Sequence, residues 1–237
     1  MFVKLWMTSN VLSVTSNQPM IEVEQLMRQH RIRRVPVIDD GKLVGIISRE
    51  DLFRAMPSIF DPSISPEQLE QAGRITAATV MTPSPITVDP STPLEEAALL
   101  MRTHKFGSLV VVQDGQVVGI ITETNIFDAF LEILGARKEG ARIELKVDRS
   151  QQAFYAMMQV FKKCQMTVLG MTVFPDFSET HQLVTLKVQG EDMEKLVDSL
   201  WAGRTRVPKG LQWEFYGDMF NADWDVPAYD PKLAQDL

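Results

Sequence analysis

The sequence predicts an α+β protein built from two copies of a β-α-β-β-α unit followed by a different, βαββαβ unit. Three observations carry this. The quartet Val44-Gly45-Ile46-Ile47 recurs as Val118-Gly119-Ile120-Ile121, 74 residues later. At that offset 18 of the 51 positions from Met7 to Pro57 are identical without a gap, which marks an internal duplication. Beyond Gly140 the pattern changes, and Arg142 to Asp148 alternates apolar and polar residues with the period of a strand.

Each repeat reads in the same order. A short extended segment, Leu12-Ser13-Val14 or Ile86-Thr87-Val88, precedes a helix. In the second copy that helix opens Thr92-Pro93-Leu94-Glu95, read as an N-cap, a proline at the first helical position and a capping-box glutamate. Gln18-Pro19-Met20-Ile21 is a weaker cap in the first copy. Ala97, Leu100, Met101 and His104 keep helical spacing. A strand follows, Val35 to Ile38 or Leu109 to Val112. Asp40-Gly41 and Asp114-Gly115 then signal a tight hairpin turn. The return strand is Leu43 to Ile47 or Val117 to Ile121, and a closing helix starts at Ser48 or Thr122. The expected organisation is a first repeat at 1–57, a linker at 58–75 and a second repeat at 76–136. Pro57, Pro62 and Pro66 punctuate the linker, with a short helix after Ser65-Pro66-Glu67.

The third unit is expected over 141–216. After the strand at 142–148 comes a helix from Ser150 to Lys163, with Ala153, Met157, Val160 and Cys164 on one stripe. Met166 to Phe174 and Gln182 to Gln189 read as strands joined by the polar loop 175–180. Glu191 to Ala202 is helical, with Met193, Leu196, Val197, Leu200 and Trp201 on one face. Leu211 to Phe215 is a last strand. The order βαββαβ is the ferredoxin-like arrangement. Residues 217–237 hold five Asp and one Lys without periodicity and read as an acidic tail.

Composition narrows the function classes. The chain has 237 residues, 45% of them apolar, and a net charge of −7. A net-negative protein is a poor binder of nucleic acid or anionic lipid, so neither partner is expected. One cysteine, Cys164, precludes an intrachain disulfide and a multi-cysteine zinc site. The N-terminus turns polar too soon for a signal peptide, and no apolar run approaches a membrane span. A cytoplasmic location is the expectation. Three histidines and no clustered carboxylates give no metal site, and none of the common nucleotide-loop, nucleophile-elbow or zinc-protease motifs occurs. An enzyme is not expected.

Two segments carry candidate chemistry. Ser48-Arg49-Glu50-Asp51 follows the quartet. It is either a capping box alone or, in addition, an anion seat. Free N–H groups and the helix dipole favour negative charge there, and an aspartate one turn on has acceptors for two neighbouring hydroxyls. The second copy has Thr122 and Asn125 instead, which is less suited to a diol. The second segment is His30-Arg31-Ile32-Arg33-Arg34. Its cations either complement a helix C-terminus or, at Arg33 and Arg34, pair with phosphates. The equivalent positions are Gly107 and Ser108. Both differences place the better site in the first copy.

The unit running from Val14 through Pro36-Val37-Ile38-Asp39 and Gly45-Ile46-Ile47-Ser48-Arg49-Glu50-Asp51 resembles a cystathionine-β-synthase (CBS) domain, and residues 1–136 resemble a tandem pair, the Bateman module. The resemblance implies clefts for adenosyl ligands: AMP, ADP, ATP or S-adenosylmethionine. It places Ser48 on phosphate and Asp51 on ribose, with Ser13, Val14, Val35 and Pro36 as adenine-side walls. The weaker second site is implied at Thr87, Val88, Leu109, Val110, Thr122 and Asn125. The C-terminal unit resembles an ACT domain, which implies amino-acid binding or pairing between subunits. Its turn at 147–150 lacks the glycine of amino-acid binders. The CBS-CBS-ACT layout is similar to the acetoin-utilisation protein family. Together these imply a non-enzymatic regulator, a homodimer or larger homo-oligomer, acting on a protein partner. The alternatives are a scaffold with empty clefts and an amino-acid sensor working through the ACT-like domain.

Overall fold

The computed structural model describes residues 1–55, 74–175, 178–206 and 213–215. The linker helix expected after Ser65, the tail at 217–237 and most of the 58–75 linker lie outside the described residues. The chain divides into two units, 1–129 and 130–237.

In the first unit, repeat one comprises α1 (Met20–Gln29), β1 (Arg34–Asp39), β2 (Lys42–Ser48) and α2 (Arg49–Ala55). A short helix α3 (Ala77–Val80) and strand β3 (Thr82–Pro83) follow the linker. Repeat two comprises β4 (Thr87–Val88), α4 (Leu94–His104), β5 (Ser108–Gln113), β6 (Gln116–Thr122) and α5 (Glu123–Ile133). Asp40-Gly41 and Asp114-Gly115 all have positive φ, the requirement of the two-residue turn whose twist suits a hairpin. Helices α1 and α4 bury repeat-equivalent stripes in separate cores, Met20, Val23 and Met27 in repeat one and Leu94, Ala97 and Met101 in repeat two.

The repeats exchange their leading segments. Val3 is fully buried in the core of repeat two, with Leu109, Val111 and Ile121. Ala77 is fully buried in the core of repeat one, with Val35, Val37 and Ile47. Thr8 bridges Ile120 of β6, and Thr82 pairs with Ile46 of β2. The exchange also corrects the expected caps. Pro19 and Pro93 are themselves the N-cap residues, and neither helix has a side-chain cap. The first-turn donors are taken by exchanged backbone instead: Met20 N–H donates to Ile75 at 2.8 Å, and Leu94 N–H to Met1 at 2.8 Å. Thr92 turns away and accepts from the Asp89 N–H.

The second unit runs β7 (Ala141–Asp148), α6 (Gln151–Lys163), β8 (Thr167–Phe174), β9 (His181–Gln189), α7 (Met193–Arg206) and β10 (Trp213–Phe215). The sheet order is β10-β7-β9-β8, antiparallel throughout. Ser150 caps α6 by accepting from the Ala153 N–H at 3.2 Å. The inward residues of β7, Ile143, Leu145 and Val147, pack with Met157 and Phe161 of α6.

Candidate functional site

The polar motif forms where β2 ends and α2 begins. Asp51 Oδ2 accepts from the Ser48 N–H at 2.9 Å and from its hydroxyl at 2.7 Å, while Ser48 Oγ accepts from the Asp51 N–H at 3.1 Å. This is a reciprocal capping box, and it consumes only one carboxylate oxygen. Oδ1 has no hydrogen-bond partner among the described residues, and Asp51 lines a cleft. The same box recurs in repeat two. Asn125 Oδ1 accepts from the Thr122 N–H at 2.9 Å and from its hydroxyl at 2.7 Å. Both donors need an acceptor, so the cap fixes the amide orientation. The group left over at Asn125 is therefore an NH₂ donor, where Asp51 keeps a charged acceptor.

Among the described residues two repeat-related clefts lie in this unit, and each draws its motif from one repeat and its wall from the other. The Asp51 cleft, about 540 Å³, takes Ile46, Ser48, Asp51 and Arg54 from repeat one. Its opposite wall is Ile86, Lys105, Phe106, Gly107 and Ser108 of repeat two, together with the fully buried Val110. The Thr122 cleft, about 280 Å³, takes Ile120, Thr122 and Glu123 from repeat two. Leu12, Arg31, Ile32, Arg33 and Pro36 of repeat one face them. The first volume lies within the roughly 300–1,000 Å³ usual for small-molecule sites. The exchanged segments seal the seam, since Thr82 lies beside Ile46 and Thr8 beside Ile120.

Two clefts were expected, each built from one repeat, whereas the lining of each comes from both repeats. Ser48 and Asp51 lie together, and Arg34 reaches them. Arg33 and Pro36 line the Thr122 cleft instead. Val14 and Val35 are core residues, and Ser13 lines neither cleft. In repeat two, Val88 and Leu109 are likewise core, Thr87 lines neither cleft, and Val110 lies on the side of the Asp51 cleft but is itself fully buried. Asn125 is bonded to Thr122 and is not itself among the lining residues. Strand alternation is the reason for half of this. Successive residues of a strand face opposite sides, so Val35 and Val37 enter the core while Arg34 and Pro36 face the clefts.

Both clefts carry cations. Arg31 and Lys105, repeat-equivalent residues just past α1 and α4, have φ of 53° and 57°. This left-handed conformation usually falls to glycine at a helix end. It costs a side-chain-bearing residue on the order of 1 kcal/mol, yet both copies place a long cation there. Glu50 sits below the ordinary carboxylate range. Its helical N–H is the main cause, helped by a hydrogen bond with Ser48 and the charge of Arg34. Ser108 is 6% exposed, and its hydroxyl has no partner among the described residues. A buried hydroxyl left unsatisfied costs about 1–3 kcal/mol, and a polar group entering the Asp51 cleft would remove that cost. Arg54, Ile86, Lys105, Phe106 and Ser108 escaped the sequence reading as lining residues, and Arg31 was read only as a helix-end cation. The cation shared by Arg31 and Lys105 at offset 74 was the available signal for two of them.

Among the described residues no group of His, Cys, Asp or Glu is placed to hold a metal ion, and no helix is long and apolar enough to cross a membrane.

A family model described as "CBS domain" matches residues 3–58 and 77–132. A CBS domain-containing protein of Dictyostelium discoideum is 30% identical over 134 residues, which cover 56% of this chain and 92% of that protein. The structure of the CBS-pair protein CBSX2 from Arabidopsis thaliana is 32% identical, covers 56% of this chain and 95% of its own, and superposes with a TM-score of 0.50. CBSX2 has also been crystallised in complex with AMP (33% identity, TM-score 0.47, 56% and 97% coverage). A Vibrio cholerae protein assigned to acetoin utilization (AcuB) is 29% identical with a TM-score of 0.49, covering 58% of this chain and 96% of its own.

Proposed function

The chain belongs to the CBS-domain family, and from that membership we propose that it is a non-catalytic regulatory sensor of an adenosyl ligand: AMP, ADP, ATP or S-adenosylmethionine. The Asp51 cleft is the principal site. One observation carries this. Asp51 keeps a carboxylate oxygen free of its cap, in a cleft that also offers an apolar wall (Ile86 and Phe106, both more than a third exposed) and cations (Arg34, Arg54, Lys105). Those are the three chemistries an adenosyl phosphate needs: an acceptor for the ribose hydroxyls, a face for the base and positive charge for the phosphate. CBSX2, which takes AMP, supports the choice of ligand class.

The ligand acts by its difference in affinity for two arrangements of the repeats or of two subunits. We read the second unit as an ACT-like, ferredoxin-type module. It pairs copies of the chain into a homodimer or larger homo-oligomer in the cytoplasm and passes the change to a partner protein. The layout extends the reading to a role in acetoin utilisation, which growth of a deletion strain on acetoin examines. The ligand reading is tested by calorimetric titration of the full chain with AMP, ADP, ATP and S-adenosylmethionine. At least one should bind with Kd well below about 1 mM. Binding no tighter than that for all four rejects it.

A further inference from the structure

We propose that Arg34 couples the two clefts, so that an anionic ligand in one weakens binding of a second in the other. The inference rests on the ligand reading above and adds a regulatory property to it. Arg34 is among the residues lining both clefts. It stands at the start of β1, opposite Ser48 of β2, on the strand face turned away from the core. Its guanidinium crosses to repeat two and lies on Gly107, where a Cβ would overlap its terminal atoms. Gly107 is thus the open position that lets one side chain serve both sites. The arrangement is one-sided, because the repeat equivalent of Arg34 is Ser108, which brings no second guanidinium.

Charge makes the sharing matter. In the Asp51 cleft Arg54 and Lys105 are matched by Glu50 and Asp51, so Arg34 supplies the surplus positive charge. In the Thr122 cleft Arg31 and Arg33 face Glu123, and Arg34 again adds to the surplus. A phosphate in the Asp51 cleft draws Arg34 toward it, and a phosphate in the other cleft then meets a poorer site. If the guanidinium bridges both phosphates, the second anion gains less from a charge already engaged and is repelled by the first. Both geometries give anticooperativity.

Two substitutions isolate the sites. Leu12 lines only the Thr122 cleft and its repeat equivalent Ile86 only the Asp51 cleft; both are more than a third exposed. Leu12→Trp and Ile86→Trp therefore plug one cleft each without entering a core. The experiment is calorimetric titration of AMP into the full chain, wild type and plugged, with Arg34→Gln and Gly107→Ala each examined on all three backgrounds. Gly107→Ala keeps the arginine but displaces its guanidinium from the shared position. The wild type should bind its second AMP at least about five-fold more weakly than the corresponding plugged protein binds its single AMP, in the range of ordinary site coupling. Both Arg34→Gln and Gly107→Ala should bring that ratio down toward one. A ratio near one in the wild type, a ratio unchanged in both variants, or a single AMP per wild-type chain overturns the coupling while leaving the ligand reading in place. No AMP binding to any form overturns both.

Discussion

Asp51→Asn separates the two jobs of one side chain. In the wild type Oδ2 holds the cap, taking the Ser48 N–H at 2.9 Å and hydroxyl at 2.7 Å. Repeat two already shows what the substitution builds, because Asn125 holds the same cap at 2.9 and 2.7 Å. Helix α2 should therefore keep its N-terminus, and the thermal midpoint should stay close to the wild-type value. The cleft, in contrast, loses a charged acceptor and gains an NH₂ donor. A hydrogen bond to a charged group contributes about 1.5–3 kcal/mol, so AMP affinity should fall by roughly 10- to 150-fold. Calorimetry reads the affinity, and a melting curve on the same sample reads the cap. An AMP affinity within about two-fold of wild type, in a protein with an unchanged midpoint, would refute the role given to Asp51.

Asn125→Asp is the converse, returning a free carboxylate oxygen beside Thr122; it should strengthen a ribose-bearing ligand in the Thr122 cleft, read by AMP titration of the Ile86→Trp background. Val3→Ala should destabilise the first unit by about 2 kcal/mol through two lost methylenes and a partial cavity in the core of repeat two, measured by urea unfolding. Phe161→Ala, which empties a position 1% exposed in the core of the second unit, should cost that unit about 3–5 kcal/mol. Asp39 is held below the ordinary carboxylate range by the Ser16 hydroxyl and then its N–H, and Asp148 by the Ser150 N–H and then its hydroxyl. A lowered folded-state value gives stability that is present above the unfolded value, near 4, and lost as pH falls through the folded one. Thermal midpoints should thus hold from about pH 7 to 5 and drop below about 4, less steeply in Ser16→Ala.

The hairpins, the core stripes of α1 and α4 and the duplication were legible because each is local or self-comparing. Asp40-Gly41 demands its turn whatever surrounds it, and Ala97 and Met101 announce a buried face of α4 by spacing alone, with Val23 and Met27 at the matching positions of α1. The exchange of leading segments was not legible. A match at offset 74 is the same whether Val3 packs into its own repeat or into the other, since periodicity names a face and not the neighbour that covers it. The caps failed for the same reason, because Met1 and Ile75 supply acceptors from far along the chain. The division of the clefts between repeats follows from the exchange. Part of it was readable, however: Pro36 and Val35 are adjacent on one strand and cannot both face a ligand.

The central claim is that an adenosyl ligand sits between the polar motif of repeat one and the apolar wall of repeat two. Titrating AMP into the full chain with labelled isoleucine, leucine and valine methyl groups, followed by NMR, examines it most directly. The methyl resonances of Ile46, Ile86 and Val110 should shift together, ahead of Val14 and Val35. Shifts at Val14 and Val35 with Ile86 and Val110 silent, or no shifts at millimolar AMP, would contradict it.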